Sequence, residues 1–354
     1  MDDFAAYFAE QVRGAAAAKR PLRIRGGGSK DFYGGPLEGE VLDTRRHTGI
    51  VGYDPTELVI TARCGTPLTE IEAALAGAGQ MLAFEPPHFG DGATLGGAIA
   101  TGLSGPRRVA AGSARDFVLG VKMMNGRAEV LNFGGQVMKN VAGYDVSRLM
   151  AGAMGCLGLL LEVSLKVLPL PATETTLRLE APQGRALELL NGWAGRPLPI
   201  SASCWEDDAL MLRLSGANAA VAAARRQIGG ERVADGAAFW RALREQQAAF
   251  FADELPLWRL SLPSVAAQLD LPGAQLLEWG GSLRWLKSGA TPERIRAAAT
   301  RAGGHATLFR GGEEDRADGA FQTLPSPLLA LNRQLKRAFD PAGIFNPGRM
   351  IREF

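Results

Sequence analysis

The sequence predicts an α+β fold with two domains. Its 354 residues exceed the length of one average domain. Glycine-rich turns between short strand candidates crowd the first half, whereas residues 175–234 follow the order β-α-β-β-α-β of a split βαβ sheet with helices on one face. We therefore expect a glycine-rich domain over residues 1–171 and a smaller ferredoxin-like α+β domain over residues 172–324. A C-terminal helix and tail over residues 325–354 should return to the first domain.

Local patterns predict the early elements of the first domain. Apolar residues recur every four positions over residues 3–18, which indicates an amphipathic helix. Residues 22–25 are a short strand candidate that runs straight into the glycines at 26–28, and residues 58–64 are a second strand candidate. Thr66 is predicted to cap a short helix that has Pro67 in its first position, because threonine is a frequent N-cap and proline is tolerated there.

Later in this domain, Asn125-Gly126 separates two apolar segments and predicts a tight hairpin between residues 117–124 and 127–132. Residues 161–167 alternate apolar and polar side chains, which predicts a half-buried strand. Prolines at positions 169 and 171 end it and mark the domain boundary.

The second domain is less regular after residue 234. We expect a looser region over residues 239–310 with a hairpin at Gly280-Gly281, and a final helix over residues 327–339. Two interpretations fit the aromatic residues Phe250, Phe251 and Trp258, an exposed apolar patch or core burial, and core burial is favoured.

Bulk composition excludes several classes of protein. The formal net charge of +2 gives no reason to expect nucleic acid as a partner. Cys64, Cys156 and Cys204 are more than forty residues apart and the three histidines are scattered, so no zinc or iron–sulfur spacing exists and no metal site is expected. The cysteines are interpreted as small buried thiols in a reducing compartment.

No targeting or membrane segment is expected either. Acidic and basic residues interrupt the apolar positions near the N-terminus, unlike a signal peptide. The most apolar stretch, residues 149–161, is too short to cross a bilayer. A cytoplasmic protein is expected, which would reach the inner membrane only through a partner.

Three glycine clusters carry the functional prediction: residues 25–30, 92–102 and 152–158. Glycine permits positive φ and lets a ligand approach bare N–H groups, and successive N–H groups form a concave nest that suits an anion. Three such nests suit the pyrophosphate of a dinucleotide. The first strand is not followed by G-x-G-x-x-G and no phosphate-binding G-x-x-x-x-G-K-[ST] occurs, so NAD-binding Rossmann domains and P-loop nucleoside triphosphatases are disfavoured.

These motifs resemble a known family. Arg25-Gly-Gly-Gly-Ser-Lys30, the pair Pro86-Pro87, and Gly92-Ala-Thr-Leu-Gly-Gly-Ala-Ile-Ala-Thr101 are similar in kind and order to the vanillyl-alcohol-oxidase/PCMH-type FAD-binding family. So are residues 112–120 with 139–145, residues 155–166, and the tail Phe339-Asp-Pro with Phe345-Asn-Pro-Gly348. The resemblance implies a PCMH-type FAD-binding fold of two subdomains, with the smaller ferredoxin-like domain as a cap.

The resemblance also implies how FAD is held. The first loop would give backbone N–H groups to the pyrophosphate, and Asn346 would approach the isoalloxazine. Members with covalent flavin carry a histidine in the first loop, whereas this chain has Gly28-Ser29, so non-covalent FAD is expected. The implied cofactor-binding residues are Gly26, Gly27, Gly28, Ser29, Lys30, Pro87, Thr94, Gly96, Gly97, Thr101, Ser104, Gly158, Val163 and Asn346.

Other residues near these motifs have two interpretations. His88 and Tyr144 are candidates for the flavin neighbourhood, although a loop histidine and a core tyrosine are ordinary alternatives. Asn140 is interpreted as a turn residue. The pairs Arg115-Asp116 and Asp145–Arg148 are interpreted as ion pairs that fix loop geometry rather than as ligand contacts.

Within this family the chain is most similar to short flavin subunits of bacterial glycolate oxidases. That similarity implies oxidation of glycolate, a 2-hydroxy acid, to glyoxylate together with a paralogous FAD subunit and a separate iron–sulfur subunit. Relatives that oxidise D-2-hydroxy acids carry a histidine-rich metal set, whereas residues 171–354 contain only His305, so the catalytic residues are unknown. The arginines of this region could be solvated or could bind a carboxylate: Arg178, Arg213, Arg259, Arg284 and Arg310.

Two alternatives stay open from the sequence. The chain could be an independent FAD-dependent D-2-hydroxy-acid dehydrogenase that uses arginines and His88 without metal. It could also be a scaffold subunit that has the fold and holds no flavin.

Overall fold

The structure, a computed structural model, describes residues 3–135, 144–312, 314–316 and 319–354. Its helices are α1 (Asp3–Ala18), α2 (Leu68–Gly77), α3 (Leu95–Thr101), α4 (Arg108–Ala111), α5 (Ala114–Phe117), α6 (Val146–Leu149), α7 (Gln183–Ala194), α8 (Asn218–Ile228), α9 (Gly236–Arg244), α10 (Pro292–Arg301) and α11 (Ser326–Phe339). Its strands are β1 (Leu22–Arg25), β2 (Glu40–Asp43), β3 (Ile50–Asp54), β4 (Val59–Arg63), β5 (Gln80–Met81), β6 (Val118–Met124), β7 (Val130–Gly134), β8 (Leu159–Lys166), β9 (Leu168–Pro169), β10 (Thr173–Glu180), β11 (Ile200–Glu206), β12 (Ala209–Gly216), β13 (Glu231–Val233), β14 (Leu257–Ser261), β15 (Ala274–Glu278), β16 (Leu283–Lys287) and β17 (His305–Arg310).

The chain divides into two compact units. The first unit comprises Met1–Leu103, Ser113–Pro169 and Thr323–Phe354, and the second comprises Ser104–Gly112 and Leu170–Gln322. The segment Ser104–Gly112 was assigned to the glycine-rich domain from the sequence, but it belongs to the second unit. The roles of these units as cofactor-binding domain and cap stay predictions.

The first unit contains a five-stranded sheet with the order β3-β4-β8-β6-β7 and a two-stranded parallel sheet of β1 and β2. Helix α1 packs Phe8 and Val12 against Leu161 of β8 and Phe345 of the tail, in one buried cluster. The predicted bounds of α1 and β1 are confirmed, because a four-residue apolar repeat and a short strand before glycine are strong local signals.

Strand β8 is not half-buried as predicted. It pairs with β4 on one side and β6 on the other, and its apolar residues face both sides of the sheet in buried positions. Two of its polar residues are paired: Ser164 Oγ lies 2.8 Å from Thr61 Oγ1, and Glu162 accepts from Lys122 Nζ at 3.1 Å. A central strand whose polar groups find partners can therefore mimic an alternating surface pattern in sequence.

Thr66 does not cap α2 as predicted. The N-cap of α2 is Pro67, without a side-chain hydrogen bond. The Thr66 hydroxyl instead accepts the N–H of Gly49 at 2.9 Å and donates to the Gly49 carbonyl at 3.3 Å. Thr66 is fully buried, so its hydroxyl serves the neighbouring backbone segment, which would otherwise carry an unsatisfied N–H.

The hairpin between β6 and β7 is confirmed, but its turn is longer than Asn125-Gly126. Met124 pairs with Val130, and the Asn125 N–H closes the loop on the Glu129 carbonyl. Gly126 is used differently, because its N–H donates to the Phe339 carbonyl at 2.8 Å and a Cβ there would lie 2.9 Å from Asp340 Cα. The tail packs on this glycine, which explains why the turn is not the tight two-residue type.

The second unit is built on one eight-stranded sheet with the order β13-β10-β12-β11-β15-β16-β14-β17. Its first four strands have the ferredoxin-like arrangement, with α7 and α8 in one core against them. The prediction of β-α-β-β-α-β is confirmed. The prediction of a looser region over residues 239–310 is wrong, because β15 pairs with β11 and extends the same sheet. The predicted hairpin at Gly280-Gly281 is confirmed, because β15 pairs with β16 on either side of it.

The core prediction for the aromatic residues of this unit is confirmed. Phe250, Phe251 and Trp258 retain only 4%, 8% and 1% of their exposure. Trp258 lies with residues of α10 and β17 in one apolar cluster. These three residues therefore supply packing energy rather than a surface patch.

Replacing Thr66 with valine should lower the free energy of unfolding by about 1–3 kcal/mol, because the shape is kept while the N–H of half-buried Gly49 loses its acceptor. Thr66→Ser keeps the hydroxyl and should cost only about 1 kcal/mol for the lost methyl group. Urea unfolding of the purified chain measures both. A serine variant as unstable as the valine variant would contradict this assignment of the hydroxyl.

Candidate functional site

The first glycine loop forms a cradle of free amides. Strand β1 runs directly into residues 26–30, and Gly28 has a φ of +75°. Within the described residues, the N–H groups of Gly27, Gly28 and Ser29 donate to no carbonyl or side chain. These residues line a cavity, together with Gly26 and Lys30. Successive unsatisfied N–H groups in a loop with left-handed backbone form a nest for an anion such as a diphosphate.

Glycine is required here because the facing loop lies very close. A Cβ on Gly26 would overlap Thr94 Oγ1, and a Cβ on Gly27 would overlap the carbonyl oxygen of Gly92. The side chain of Arg25 passes over Gly28 and donates to Asp31 Oδ2 at 2.7 Å. The two loops therefore interlock through their backbones, which fixes the direction of the free amides.

The facing loop lines the cavity but keeps its own donors occupied. Thr94 is the N-cap of α3, and the N–H groups of Leu95 and Gly96 donate to the carbonyls of Thr66 and Cys64 at 2.9 and 2.8 Å. The Thr101 hydroxyl donates to the Gly97 carbonyl at 2.8 Å. The predicted residues of this loop lie at the cavity, as a wall more than as a source of hydrogen bonds: Thr94, Gly96, Gly97 and Thr101.

The third glycine cluster closes the cavity from the other side. Gly155, Leu157 and Gly158 line it, and a Cβ on Gly155 would lie 2.6 Å from Asn346 Nδ2. Val163, in contrast, is fully buried in β8 between Ala62 and Val121 and is not among the lining residues. The third glycine cluster therefore lies at the cavity and Val163 lies in the strand beyond it, and the roles of Gly158 and Val163 in cofactor binding stay predictions.

Asn346 joins β1 to the third cluster. Its Oδ1 accepts the Ile24 N–H at 2.8 Å, and its Nδ2 donates to the Met154 carbonyl at 2.7 Å. Its backbone N–H donates to the Leu22 carbonyl at 2.9 Å. Asn346 also lines the cavity. All of these groups form hydrogen bonds to the backbone, so Asn346 holds β1 and the third glycine cluster in position, independently of any contact with a bound flavin.

A buried ion pair holds the tail that carries Asn346. Lys336 of α11 donates through Nζ to Asp340 Oδ2 at 2.7 Å and to the carbonyls of Cys156 and Phe345 at 2.8 Å each. Asp340 in turn accepts the N–H groups of Ile344 and Phe345 at 3.2 and 2.8 Å. Lys336 retains 5% of its exposure and Asp340 1%, so every donor of the ammonium group is used away from water.

Arg349 connects the same tail to the first loop. Its guanidinium donates to the carbonyls of Lys30 and Asp31 at 3.2 and 2.9 Å and to that of Gly35. Sequence reasoning missed Arg349 and Lys336, and it included Asp340 only as part of the tail motif. Their signal was weak: an i,i+4 Lys–Asp pair at the end of a helix normally indicates a solvated surface.

Several predicted residues lie elsewhere. Pro87 is buried and is not among the lining residues, and His88 binds Glu72 Oε1 through Nε2 at 3.2 Å while its carbonyl accepts from Lys30 Nζ at 3.2 Å. Ser104 begins the short segment of the second unit, and its predicted contact stays untested. Tyr144 is 95% exposed, so its alternative as a core tyrosine is wrong.

The loop ion pairs are half correct. Arg148 Nε lies 3.3 Å from Asp145 Oδ2, and Asp145 caps α6, so this pair is confirmed as structural. Arg115 makes no pair with Asp116, because that carboxylate accepts the N–H and hydroxyl of Ser113 at 2.8 Å each. Asn140 lies outside the described residues.

The three cysteines are buried free thiols, as predicted. Burial raises the pKa of all three, that of Cys156 to about 11 although Lys336 opposes the shift. No group of three or more potential metal-binding side chains occurs among the described residues. In the same part of the chain, no helix has the length and apolarity that a membrane span requires.

The sequence left the arginines of the second domain as either solvated or carboxylate-binding, and the structure distinguishes their surroundings. Arg284 is almost fully buried and donates to the carbonyls of Gly281 and Ala267 at 3.1 and 2.7 Å, and burial lowers its pKa. Arg178 donates to Glu180 Oε1 at 3.4 Å and Arg213 donates to Ser201 Oγ at 3.1 Å, whereas burial lowers the pKa of Arg310. Arg259 lies over the Trp279 ring at 5.2 Å and has no carboxylate partner among the described residues.

Gly27→Ala should weaken binding of the expected FAD at least about ten-fold, because the new methyl group pushes the amide cradle away from the facing loop. Gly14 of α1 has open space around its Cβ position and is the matched control. Gly14→Ala should leave FAD binding unchanged. Equilibrium titration of apoprotein with FAD measures both, and an unchanged affinity of the Gly27 variant would remove the cradle from the binding site.

Asp340→Leu should lower the free energy of unfolding by about 3–5 kcal/mol, because it leaves the Lys336 charge buried without its partner. The exposed pair Arg185–Glu188, at 2.9 Å, is the control, and Glu188→Leu should change stability by less than about 1 kcal/mol. Urea unfolding compares the two. Equal effects at both positions would mean that the buried pair adds nothing to the stability of the tail.

Comparisons with known proteins agree with this geometry. The model of a family described as an FAD binding domain matches residues 6–134, and that of the C-terminal domain of FAD linked oxidases matches residues 321–350. The chain is 54% identical to glycolate oxidase subunit GlcE of Escherichia coli (strain K12) over 351 residues, which are 99% of this chain and 98% of that protein.

Two further comparisons concern part of the chain and the fold alone. Glycolate oxidase subunit GlcD of Bacillus subtilis (strain 168) is 31% identical over 160 residues, 44% of this chain and 34% of that protein. A solved structure of alkyldihydroxyacetonephosphate synthase superposes with a TM-score of 0.64 at 16% identity, covering 96% of this chain and 73% of that one. The chain therefore belongs to the family of FAD-linked oxidoreductases that includes glycolate oxidase subunit GlcE, and its cofactor is FAD.

Proposed function

We propose that this chain is a flavin subunit of a glycolate oxidase complex, in which glycolate is oxidised to glyoxylate. The single observation that carries the proposal is the 54% identity with subunit GlcE over nearly the whole of both chains. The amide cradle adds a physical reason, since three free N–H groups beside Lys30 suit the diphosphate of a non-covalently held dinucleotide.

The chemistry assigns distinct tasks to the chain. Oxidation of glycolate removes an electron pair with one hydrogen from carbon and a proton from the hydroxyl group, and bound FAD supplies the acceptor of the electron pair. The first unit holds the cofactor through backbone amides of Gly27, Gly28 and Ser29. In the second unit, Arg259 is our candidate for the substrate carboxylate, because its guanidinium has no carboxylate of the described chain to neutralise it.

Electrons must then leave the flavin. Cys64, Cys156 and Cys204 are buried and far apart in sequence, so an iron–sulfur acceptor is proposed to lie on a separate chain. The partial similarity to subunit GlcD supports a longer, paralogous FAD subunit as the second partner. Any attachment to the inner membrane would then be made by a partner.

The test is an anaerobic titration with glycolate that follows the absorbance of oxidised flavin. The purified chain should be yellow and should stay so with glycolate, whereas the assembled complex should be bleached and should turn over. In the complex, Arg259→Gln should raise the KM for glycolate about ten-fold or more, because a charge-assisted bond to the carboxylate is lost. Arg178→Gln, at the exposed pair with Glu180, is the control.

Other outcomes separate the alternatives. Bleaching of the isolated chain by glycolate or D-lactate would replace the proposal with an independent 2-hydroxy-acid dehydrogenase. A chain that stays colourless with excess FAD would support a scaffold subunit.

A further inference from the structure

Arg23 of β1 has a buried donor that nothing in the described chain satisfies. Its Nε is inaccessible to solvent and has no hydrogen-bond partner, and no ion pair reaches its guanidinium. Leaving a buried N–H without an acceptor costs stability, so natural proteins rarely keep such a group without a purpose.

The neighbouring arginines of the same cavity are already engaged. Arg25 donates to Asp31 at 2.7 Å, and Arg349 donates to the carbonyls of Lys30 and Asp31. Both of them shape the first loop. Arg23 also lines the cavity but performs no such task, which leaves its five N–H donors for a bound molecule.

The position of Arg23 indicates which part of that molecule it meets. Residues 23 and 25 lie on the same face of β1, and two residues of a strand span about 6.6 Å. Arg23 is therefore set back along the strand from the amide cradle that suits the diphosphate. Pro36 and Leu37 line the same cavity and are exposed, Leu37 to 40%. Exposed apolar side chains in a cavity with a planar guanidinium suit a flat heteroaromatic ring.

We propose that Arg23 recognises the adenosine half of FAD, donating to its ring or ribose acceptors while Leu37 and Pro36 cover the adenine. The cradle amides of Gly27, Gly28 and Ser29 then hold the diphosphate, and Arg23 distinguishes FAD from the shorter FMN. This inference depends on the cofactor but not on glycolate oxidation.

The experiment compares wild-type chain with Arg23→Met, which keeps the length of the side chain and removes its donors. Apoprotein is titrated with FAD and with FMN, and ADP and inorganic pyrophosphate are tested as competitors of FAD. The Kd for FAD should rise about ten- to a hundred-fold, as expected for lost charged hydrogen bonds. Competition by ADP should weaken in parallel, whereas FMN and pyrophosphate should bind as they do to wild type.

The control is Arg45→Met, because Arg45 is exposed and is paired with Asp43 outside the cavity. It should leave every affinity unchanged. Thermal unfolding supplies a second readout. Without FAD, the Tm of Arg23→Met should be at least that of wild type, since the substitution removes an unsatisfied donor. Added FAD should raise the Tm of the variant less than it raises the Tm of wild type.

Two results would overturn the inference. Weaker competition by pyrophosphate as well as by ADP would assign Arg23 to the phosphates. An apoprotein destabilised by Arg23→Met, with an unchanged Kd for FAD, would assign it to the fold alone.

Discussion

The buried pair of Lys336 and Asp340 is the interaction on which the cofactor site depends. Helix α11 has no buried residue other than Lys336, so the ion pair anchors this helix where an apolar stripe would usually do so. Desolvating two charges is expensive, and the expense is offset only because every donor of the ammonium group finds an acceptor. From this anchor the tail delivers Asn346 to β1 and Arg349 to the first loop.

The site shows a division of labour between side chains and backbone. Charged and amide side chains of the tail fix the loops, and the loops leave their own N–H groups of Gly27, Gly28 and Ser29 free for the ligand. A backbone donor cannot change rotamer, so its direction is set once the loops interlock. The close contact of Gly27 with Gly92 therefore fixes the backbone donors of an anion site whose neighbouring Arg25 and Arg349 are engaged with the loop itself.

The sequence predicted those features that depend on neighbours along the chain. The bounds of α1 and β1 and the order of the ferredoxin-like strands followed from periodicity. The cavity itself was predicted through its glycines, although Val163 and Pro87 do not line it. Features that join distant segments were not predictable: Thr66 serves Gly49 instead of its own helix, and Lys336 and Arg23 resemble ordinary solvated charges until their surroundings are known.

One consequence follows from the path of the chain. It passes between the two units at positions 103/104, 112/113, 169/170 and 322/323, so neither unit is a continuous stretch of sequence. No single continuous segment encodes either unit alone, so exchanging the second unit between relatives needs several coordinated junctions rather than one. The C-terminal tail also stays bound to the segment that is synthesised first, because Leu22 exchanges backbone hydrogen bonds with Ile344 and Asn346.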